Sequence, residues 1–236
     1  LNEPLFARVK AVHESGVALE QDQATLLDKT WKSFVRGGAN LGAEDKATYS
    51  KLSEELSLLT LQYGKNVLAA TNAFTLNLTE EADLEGLPEF VREAAVETAK
   101  SKNMDGWAFD LSAPSYGAFM KYSTRRDLRQ KMWMAYNTWA TEGDNSNIEL
   151  CRQIAELRLK IANILGYETY ADYALEERMA KNPQTVNEFI QKLLEPSLPA
   201  AKAEVKELYE YARANGFEDS EIQPWDFGFW SEKLKD

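Results

Sequence analysis

Histidine and cysteine are almost absent, since His13 and Cys151 are the only residues of their kinds among 236. One cysteine excludes an internal disulfide framework and a site made of several thiolates. One histidine excludes the zinc motif HExxH, which needs two histidines one helical turn apart. It also leaves Ser-His-Asp and Cys-His catalysis with a single candidate base, close to the N-terminus. We therefore expect His13 to be a solvated residue at a helix end, and we assign no catalytic residue and no metal ligand.

Positive charge is also scarce, because 27 lysines and arginines stand against 38 aspartates and glutamates, for a net charge of −11. An acidic chain has no cationic excess with which to displace the counterions of nucleic acid or to bind an anionic membrane. No apolar run is long enough to span a bilayer, and LNEPLFARVK contains no signal-peptide core. We expect no nucleic-acid partner, no membrane partner and a cytoplasmic location. Export stays open, because we expect the 236 residues to be a piece of a longer polypeptide.

The arginines are concentrated in one place, at Arg125, Arg126 and Arg129. In an acidic chain such a cluster has carboxylates nearby, and the planar guanidinium matches their geometry, so we expect ion pairs with a local aspartate or glutamate. A bound carboxylate ligand is the alternative. We expect the frequent pairs of adjacent glutamates to form solvated faces, since 38 acidic residues produce such pairs by chance.

Hydrophobic periodicity predicts helices along most of the chain. The spacing changes to alternation only around 74–78 and 107–111, which indicates two short strands whose pairing direction stays open. The predicted fold class is therefore all-α, mainly helical with at most two short β-strands. We divide the chain into a helical hairpin region at 1–72, a strand-helix-strand insert at 73–112 and a helical core at 113–236.

The stretch from 114 to 181 carries the most consistent helical signals. Thr124 is the expected N-cap of one helix, and Gly166 follows the expected end of the next. An apolar stripe runs along this second helix: Leu150, Ile154, Leu157, Ile161 and Leu165. A further set predicts burial on more than one side and makes Cys151 an inert buried thiol: Ile148, Cys151, Ala155, Leu159 and Ala162. We expect the stripe to share one core with Leu128 and Met132.

The helices after Gly166 are expected to be interrupted. One begins behind Thr169 and continues to about Ala180. The next contains Pro196 and Pro199, each of which lacks an N–H and clashes with the preceding turn. We expect these prolines to kink that helix or to split it.

Aromatic residues crowd the last predicted helix, where Pro224 is followed by Trp225, Phe229 and Trp230. So many rings on one short helix indicate a surface that packs against something else. We expect at least two of the three rings to be partly exposed or in contact with another copy. They are the predicted interface with a missing part of a longer protein, and they would make the isolated chain prone to self-association.

Four segments carry a family resemblance: FVRGGANL at 34–41 with the long helix after it, TRRDLRQKMWMAYNTWA at 124–140, ILGYETYADYALEERMAKNPQTVNEFI at 164–190 and QPWDFGFWSEK at 223–233. They resemble the N-terminal hairpin, the Arg-rich helix, the LLGxxxYA segment with its MAxxP turn, and the PWD segment of the M3 family of zinc metallopeptidases. This is the group of thimet oligopeptidase and the peptidyl-dipeptidases. GDNSN at 143–147 and the aromatic pair at 229–230 are closer to the bacterial peptidyl-dipeptidase branch.

The resemblance implies that the chain is the mostly helical N-terminal part of such an enzyme and forms one wall of its substrate channel. The family's HExxH helix and third zinc ligand are absent from this sequence, so no catalytic or metal residue is carried over. The resemblance further implies a full-length enzyme that holds zinc and removes C-terminal dipeptides from oligopeptides, whereas the fragment binds no cofactor and is inactive. Its partner would be the missing catalytic domain. The competing hypothesis is a self-contained all-α scaffold or binding module without catalytic activity.

Overall fold

The computed structural model describes residues 2–235, in which ten helices and two short strands form the regular structure. The helices are α1 (Glu3–Ser15), α2 (Gln21–Arg36), α3 (Ala43–Ala73), α4 (Glu89–Ser101), α5 (Ala113–Tyr122), α6 (Arg126–Asn137), α7 (Ile148–Ile164), α8 (Tyr170–Leu175), α9 (Pro183–Ala214) and α10 (Pro224–Lys233). The strands are β1 (Leu76–Leu78) and β2 (Trp107–Phe109). The all-α prediction is confirmed. None of the described helices has both the length and the apolar composition to cross a membrane.

The described residues divide into two compact units. The first unit takes in the residues up to Leu61 together with Leu150–Asn187. The second takes in Gln62–Glu149 and the residues from Glu188 onward. The boundaries that we predicted at 72 and 112 stay a prediction about the domains of the longer protein.

The first unit begins with two helices joined by aromatic contacts. Asn2 caps α1 by accepting a hydrogen bond from the backbone N–H of Leu5 at 3.2 Å. The ring of Phe6 lies 5.4 Å from that of Trp31 on α2, centroid to centroid. His13 is exposed, as expected for the end of a helix, and its ring stacks on the same tryptophan at 4.3 Å. The histidine therefore contributes to packing between α1 and α2.

Helix α7 buries one stripe of side chains and leaves the rest of its surface in solvent. Ile154, Leu157 and Ile161 are 8%, 5% and 6% exposed, which confirms the predicted stripe. Of the second predicted set, Ala162 is fully buried, but the prediction is wrong for Leu159, which is 45% exposed, and for the thiol of Cys151, which is also exposed. The apolar residues on that side are spread around the helix, and only one arc of a helix can face a given neighbour.

Helix α8 is shorter than predicted, since it ends at Leu175. Its start was predicted correctly. The Thr169 hydroxyl accepts a hydrogen bond from the backbone N–H of Asp172 at 3.1 Å, and the Asp172 carboxylate accepts one from the N–H of Thr169 at 3.1 Å. This reciprocal capping box satisfies two N–H groups that the helix itself cannot.

The second unit has its largest core cluster where β1 and β2 meet α4, α5 and α6. The strands pair antiparallel, with Leu76 opposite Phe109. Phe109 is 1% exposed and contacts the edge of Phe119, which is fully buried. Met132 of α6 belongs to this cluster and Leu128 packs against it. The residues of the α7 stripe lie in the other unit and are absent from the cluster, so the expected single core is wrong. The hydrophobic periodicity predicts which face of a helix is buried, but it does not predict which other element covers that face.

A second cluster in this unit buries the aromatic residues near the C-terminus. Phe229 and Trp230 are 7% and 8% exposed, and they pack with Phe217 and the last turns of α9. Trp225 is partly buried and makes an edge contact with Trp133 at 5.8 Å. The expected exposure of at least two rings is therefore wrong. The loop after α9 places Phe217 against α10, and no local sequence pattern predicts that contact. Whether these rings adjoin another part of a longer protein stays a prediction.

Helix α9 continues through Pro196 and Pro199 as a single helix, so the prolines do not split it. Each proline still lacks an N–H for the turn before it. The hydroxyl of Ser197, which lies between the two prolines, donates to the carbonyl oxygen of Leu193 at 2.7 Å.

Gly106 allows the turn before β2 to pass close to β1. Its φ is +81°, in the left-handed region that favours glycine, and a Cβ built on it would lie 2.2 Å from the carbonyl oxygen of Leu78. We expect Gly106→Ala to lower the free energy of unfolding by at least about 2 kcal/mol. Gly117, in the middle of α5, is the matched control: its Cβ would meet nothing within 4 Å. Gly117→Ala should stabilise the protein by about 0.5–1 kcal/mol. Urea unfolding measures the free energy of unfolding of both variants. Equal changes in the two variants would contradict the close approach of Gly106 to β1.

Candidate functional site

The described part of the chain contains no group of three or more His, Cys, Asp or Glu side chains that could hold a metal ion. Two clusters of charged side chains, one in each unit, instead join segments that are far apart in the sequence. We call them the Asp226 cluster, formed by Arg126, Arg129 and Asp226, and the Arg36 cluster, formed by Arg36, Tyr167, Tyr173 and Glu176.

The Asp226 cluster is a buried carboxylate held by two guanidinium groups. Arg126 donates from Nε and Nη2 to the two oxygens of Asp226, both at 2.8 Å, and Arg129 Nη2 donates to Oδ1 at 3.0 Å. Asp226 is 0% exposed. Two parallel hydrogen bonds are the strongest arrangement that an arginine makes with a carboxylate, and the third bond compensates further for the loss of water. Arg126 also pairs with Asp219, which lies nearer the surface.

Arg129 is itself buried, at 2% exposed, and all its donor nitrogens are engaged. Nε donates to the carbonyl oxygen of Trp225 at 3.0 Å, and Nη1 donates to that of Ser123 at 2.7 Å. The guanidinium carbon lies 4.2 Å from the centre of the Phe229 ring, a cation–π contact. Burial lowers the pKa of Arg129, and the hydrogen bond to Asp226 opposes that shift. For Arg126 the hydrogen bond to Asp226 is the larger effect and raises the pKa.

Two helix starts position this cluster. Helix α6 begins at Arg126 and carries Arg129 one turn later, while Asp226 lies in the first turn of α10. Asp226 also accepts a hydrogen bond from the backbone N–H of Gln223 at 3.2 Å, so it caps α10 as well. The predicted N-cap of α6 is wrong: Arg125 occupies that position, and the hydroxyl of Thr124 donates to the carbonyl oxygen of Glu85 at 3.2 Å.

The expectation of ion pairs for the arginines is confirmed, but only Arg125 has a partner that is local in the sequence, Asp127. Arg125 pairs with Asp83 and with Asp127, and the other two arginines share Asp226. The sequence did not single out Asp226 as the partner, because it lies 97–100 residues from the arginines. The signal that points to it is its place in the PWD segment. A carboxylate saturated in this way holds two helices together and has no free oxygen for acid–base chemistry.

The Arg36 cluster joins the end of α2 to α8. Arg36 Nη2 donates to the carbonyl oxygen of Tyr173 at 2.8 Å, and Nη1 pairs with Glu176. The guanidinium carbon lies 4.2 Å from the centre of the Tyr173 ring. The hydroxyl of Tyr167 donates to Oε2 of Glu176 at 2.6 Å. Burial raises the pKa of both Tyr167 and Tyr173. Both phenols therefore stay protonated at neutral pH, and the phenol of Tyr167 acts as a donor to Glu176.

The same cluster predicts an acid-sensitive contact. The hydrogen bond from Tyr167 lowers the pKa of Glu176 below its ordinary value of 4.5, and Arg36 adds to the shift. A lowered folded-state pKa stabilises the protein above the unfolded value, and the stabilisation is lost as the pH falls through the folded value. We expect Glu176→Gln to lose less stability than the wild type between about pH 6 and about pH 3. Urea unfolding at the two pH values measures this.

Glu177→Gln is the control for that experiment. Its carboxylate is 43% exposed and lies 4.0 Å from Nζ of Lys32, so it should leave the acid sensitivity as in the wild type. If Glu177→Gln and Glu176→Gln changed the pH dependence equally, the Tyr167 contact would not be its origin.

The second unit also has an apolar cleft of about 200 Å³ between α4, β2 and α5. Phe90 stands at its edge and is 63% exposed. The polar side chains that line it are hydroxyls, at Thr98, Ser112 and Ser115. With no titratable group in its lining, the cleft can take an apolar side chain but offers no acid or base.

The two clusters connect the four sequence segments in pairs. The Asp226 cluster joins 124–140 to 223–233, and the Arg36 cluster joins 34–41 to 164–190. The charged residues of all four segments therefore act as structural contacts within their units.

Comparison with known proteins gives the same family in two ways. The model of peptidase family M3 matches residues 119–236. Oligopeptidase A of Haemophilus influenzae is 37% identical over 218 residues, which cover 90% of this chain and 32% of that protein. Oligopeptidase A of Escherichia coli is 36% identical over 222 residues, with 92% and 32% covered. Dipeptidyl carboxypeptidase of Escherichia coli is 29% identical over 241 residues, with 100% and 35% covered.

The chain thus spans about a third of the length of the curated relatives that it matches. The matches cover nearly all of its 236 residues, so both units are included in the similarity. The chain belongs to peptidase family M3.

Proposed function

We propose that this chain is the helical N-terminal part of a zinc metallopeptidase that cleaves oligopeptides. The observation that carries the proposal is the similarity to oligopeptidase A, which extends over 90–92% of the chain. The joined segments support it, because the four segments that resemble the family supply the charged contacts of both clusters.

The zinc of such an enzyme does not fit the residues of this chain. The described residues hold no cluster of three potential ligands, and a catalytic zinc site takes three protein ligands and keeps one position open. Asp226, the most buried carboxylate, already accepts hydrogen bonds from two arginines. The metal would therefore be held by parts of the longer protein outside these residues. There it would supply a polarised water for attack on the peptide bond.

The role of this chain in the proposed enzyme is to shape the substrate channel. One wall of the channel would consist of its helices, and the two charged clusters would keep that wall rigid. A rigid wall admits short, unfolded peptides and excludes folded proteins. The chain's residues bind and orient the substrate in this proposal, whereas the chemistry belongs to the missing catalytic domain.

The names of the relatives indicate two candidate modes of peptide cleavage. Identity is higher to oligopeptidase A, at 37%, than to dipeptidyl carboxypeptidase, at 29%. We therefore favour cleavage within oligopeptides. Removal of C-terminal dipeptides, the mode implied by the sequence resemblance, is the second candidate, and it is supported by a match to dipeptidyl carboxypeptidase over 100% of this chain.

The isolated chain should neither bind zinc tightly nor hydrolyse peptides, whereas the longer protein should do both. Elemental analysis of the two purified proteins measures the metal, and mass spectrometry of a digested oligopeptide measures cleavage. Internal fragments would support the oligopeptidase mode, and successive loss of C-terminal dipeptides would support the other. EDTA-sensitive hydrolysis by the 236-residue chain alone would contradict the proposal that the metal and the catalytic residues lie outside it. A longer protein without peptidase activity would favour the self-contained scaffold instead.

A further inference from the structure

Helix α9 carries a long stretch whose side chains are exposed. Every residue from 188 to 207 is exposed, a length of about 30 Å along the helix axis. The exposed residues include six large apolar side chains, each 45–61% exposed: Phe189, Ile190, Leu193, Leu194, Leu198 and Val205. Together they form an apolar surface on the order of 500 Å², a size at which such patches are commonly interaction sites.

The exposed stretch continues a face that is buried further along the same helix. At 100° per residue, Ile190, Leu194 and Val205 fall within an arc of about 60° that also holds Leu208 and Ala212. Leu208 is 3% exposed and Ala212 is fully buried. These last two residues pack in the aromatic cluster with Phe217, Phe229 and Trp230. One apolar stripe is therefore covered over its last turns and uncovered over the five turns before them.

The uncovered stretch also contains the two prolines. Pro196 and Pro199 each remove a helical hydrogen bond and crowd the preceding turn. A helix in water tolerates this poorly, because little else holds it together, whereas packing on an apolar face compensates for the loss. The prolines therefore favour a covered helix.

The net charge of the whole chain disfavours a second copy as the cover. Between 188 and 207 there are four glutamates and three lysines, so the stretch is nearly neutral. Two whole chains, each with a net charge of −11, would repel one another as they approached. A cover that belongs to the same polypeptide does not have to overcome that repulsion.

We propose that the apolar stripe of α9 between Ile190 and Val205 packs against the part of the longer protein that lies outside these 236 residues. The proposal rests on the proposed function, in which the chain is one portion of a peptidase. The relatives supply the length for such a cover, because the chain spans only 32–35% of them. The face that docks there is apolar with a rim of mixed charge. The proposed interface lies on α9, whereas the sequence analysis predicted one at the aromatic rings of α10.

Hydrogen–deuterium exchange tests this packing directly. Amides between 190 and 205 should exchange at least tenfold more slowly in the longer protein than in the isolated chain. Equal exchange in a longer protein that hydrolyses peptides would overturn the docking and leave the proposed function intact. Protection in a longer protein that is inactive would support the docking and overturn the function. Protection in the isolated chain that rises with its concentration would assign the face to a second copy and overturn the proposal.

A pair of variants separates docking from a general loss of structure. Leu194→Glu places a charge on the stripe, and Ala203→Glu places the same charge on the opposite side of the helix, where the residue is also exposed. In the isolated chain both should fold and exchange as the wild type does. In the longer protein only Leu194→Glu should return the 190–205 amides to fast exchange, by tenfold or more. Equal behaviour of the two variants there would overturn the proposal.

Discussion

Replacing Asp226 by alanine should lower the free energy of unfolding by about 3–5 kcal/mol. The variant leaves the guanidinium of Arg129, which is 2% exposed, without the carboxylate that balances its charge. It also removes the hydrogen-bond acceptor at the start of α10. Urea unfolding followed by circular dichroism should show a much lower midpoint than in the wild type.

Asp219→Ala is the matched control for this experiment. Asp219 pairs with the same Arg126, but its side chain is 52% exposed, so water replaces the lost partner. We expect it to cost less than about 1 kcal/mol. A similar small effect for Asp226→Ala would mean that the buried ion pair contributes little, and the Asp226 cluster would then not be what holds α6 to α10.

Truncating Leu157 to alanine should cost about 2–5 kcal/mol, because the side chain is 5% exposed and its removal leaves a cavity. Leu159→Ala on the same helix is the control. Its side chain is 45% exposed, and alanine favours a helix at least as much as leucine does, so the change should stay within about 0.5 kcal/mol. Thermal or urea unfolding of the two variants measures the difference. Comparable losses would show that α7 is not buried on the face described.

The sequence predicted the helices well because their signals are local. The end of α7 before Gly166 and the cap of α8 at Thr169 each depend on residues within one or two turns. The change to alternating apolar residues likewise located β1 and β2. The prolines of α9 are the exception. The local rule that proline interrupts a helix did not predict that α9 continues through Pro196 and Pro199.

The family was recognised from motifs, which are also short segments of sequence. Periodicity alone did not reveal the function, because an apolar stripe is the same whether it belongs to an enzyme or to a scaffold. The structure then showed what the charged residues of these motifs contact. They supply Arg36, Arg126, Arg129 and Asp226, the charged residues that join distant segments.

By itself, then, the sequence determined the positions of the helices and strands, the all-α class and the resemblance to peptidase family M3. Only the tertiary structure decided what covers each apolar face and which carboxylate each arginine meets. It buried Phe229 and Trp230, exposed Cys151, and left the stripe of α9 partly bare. The physical reason is that a 3.6-residue period depends on neighbours in the chain, whereas contacts such as that between Arg126 and Asp226 join residues 100 positions apart.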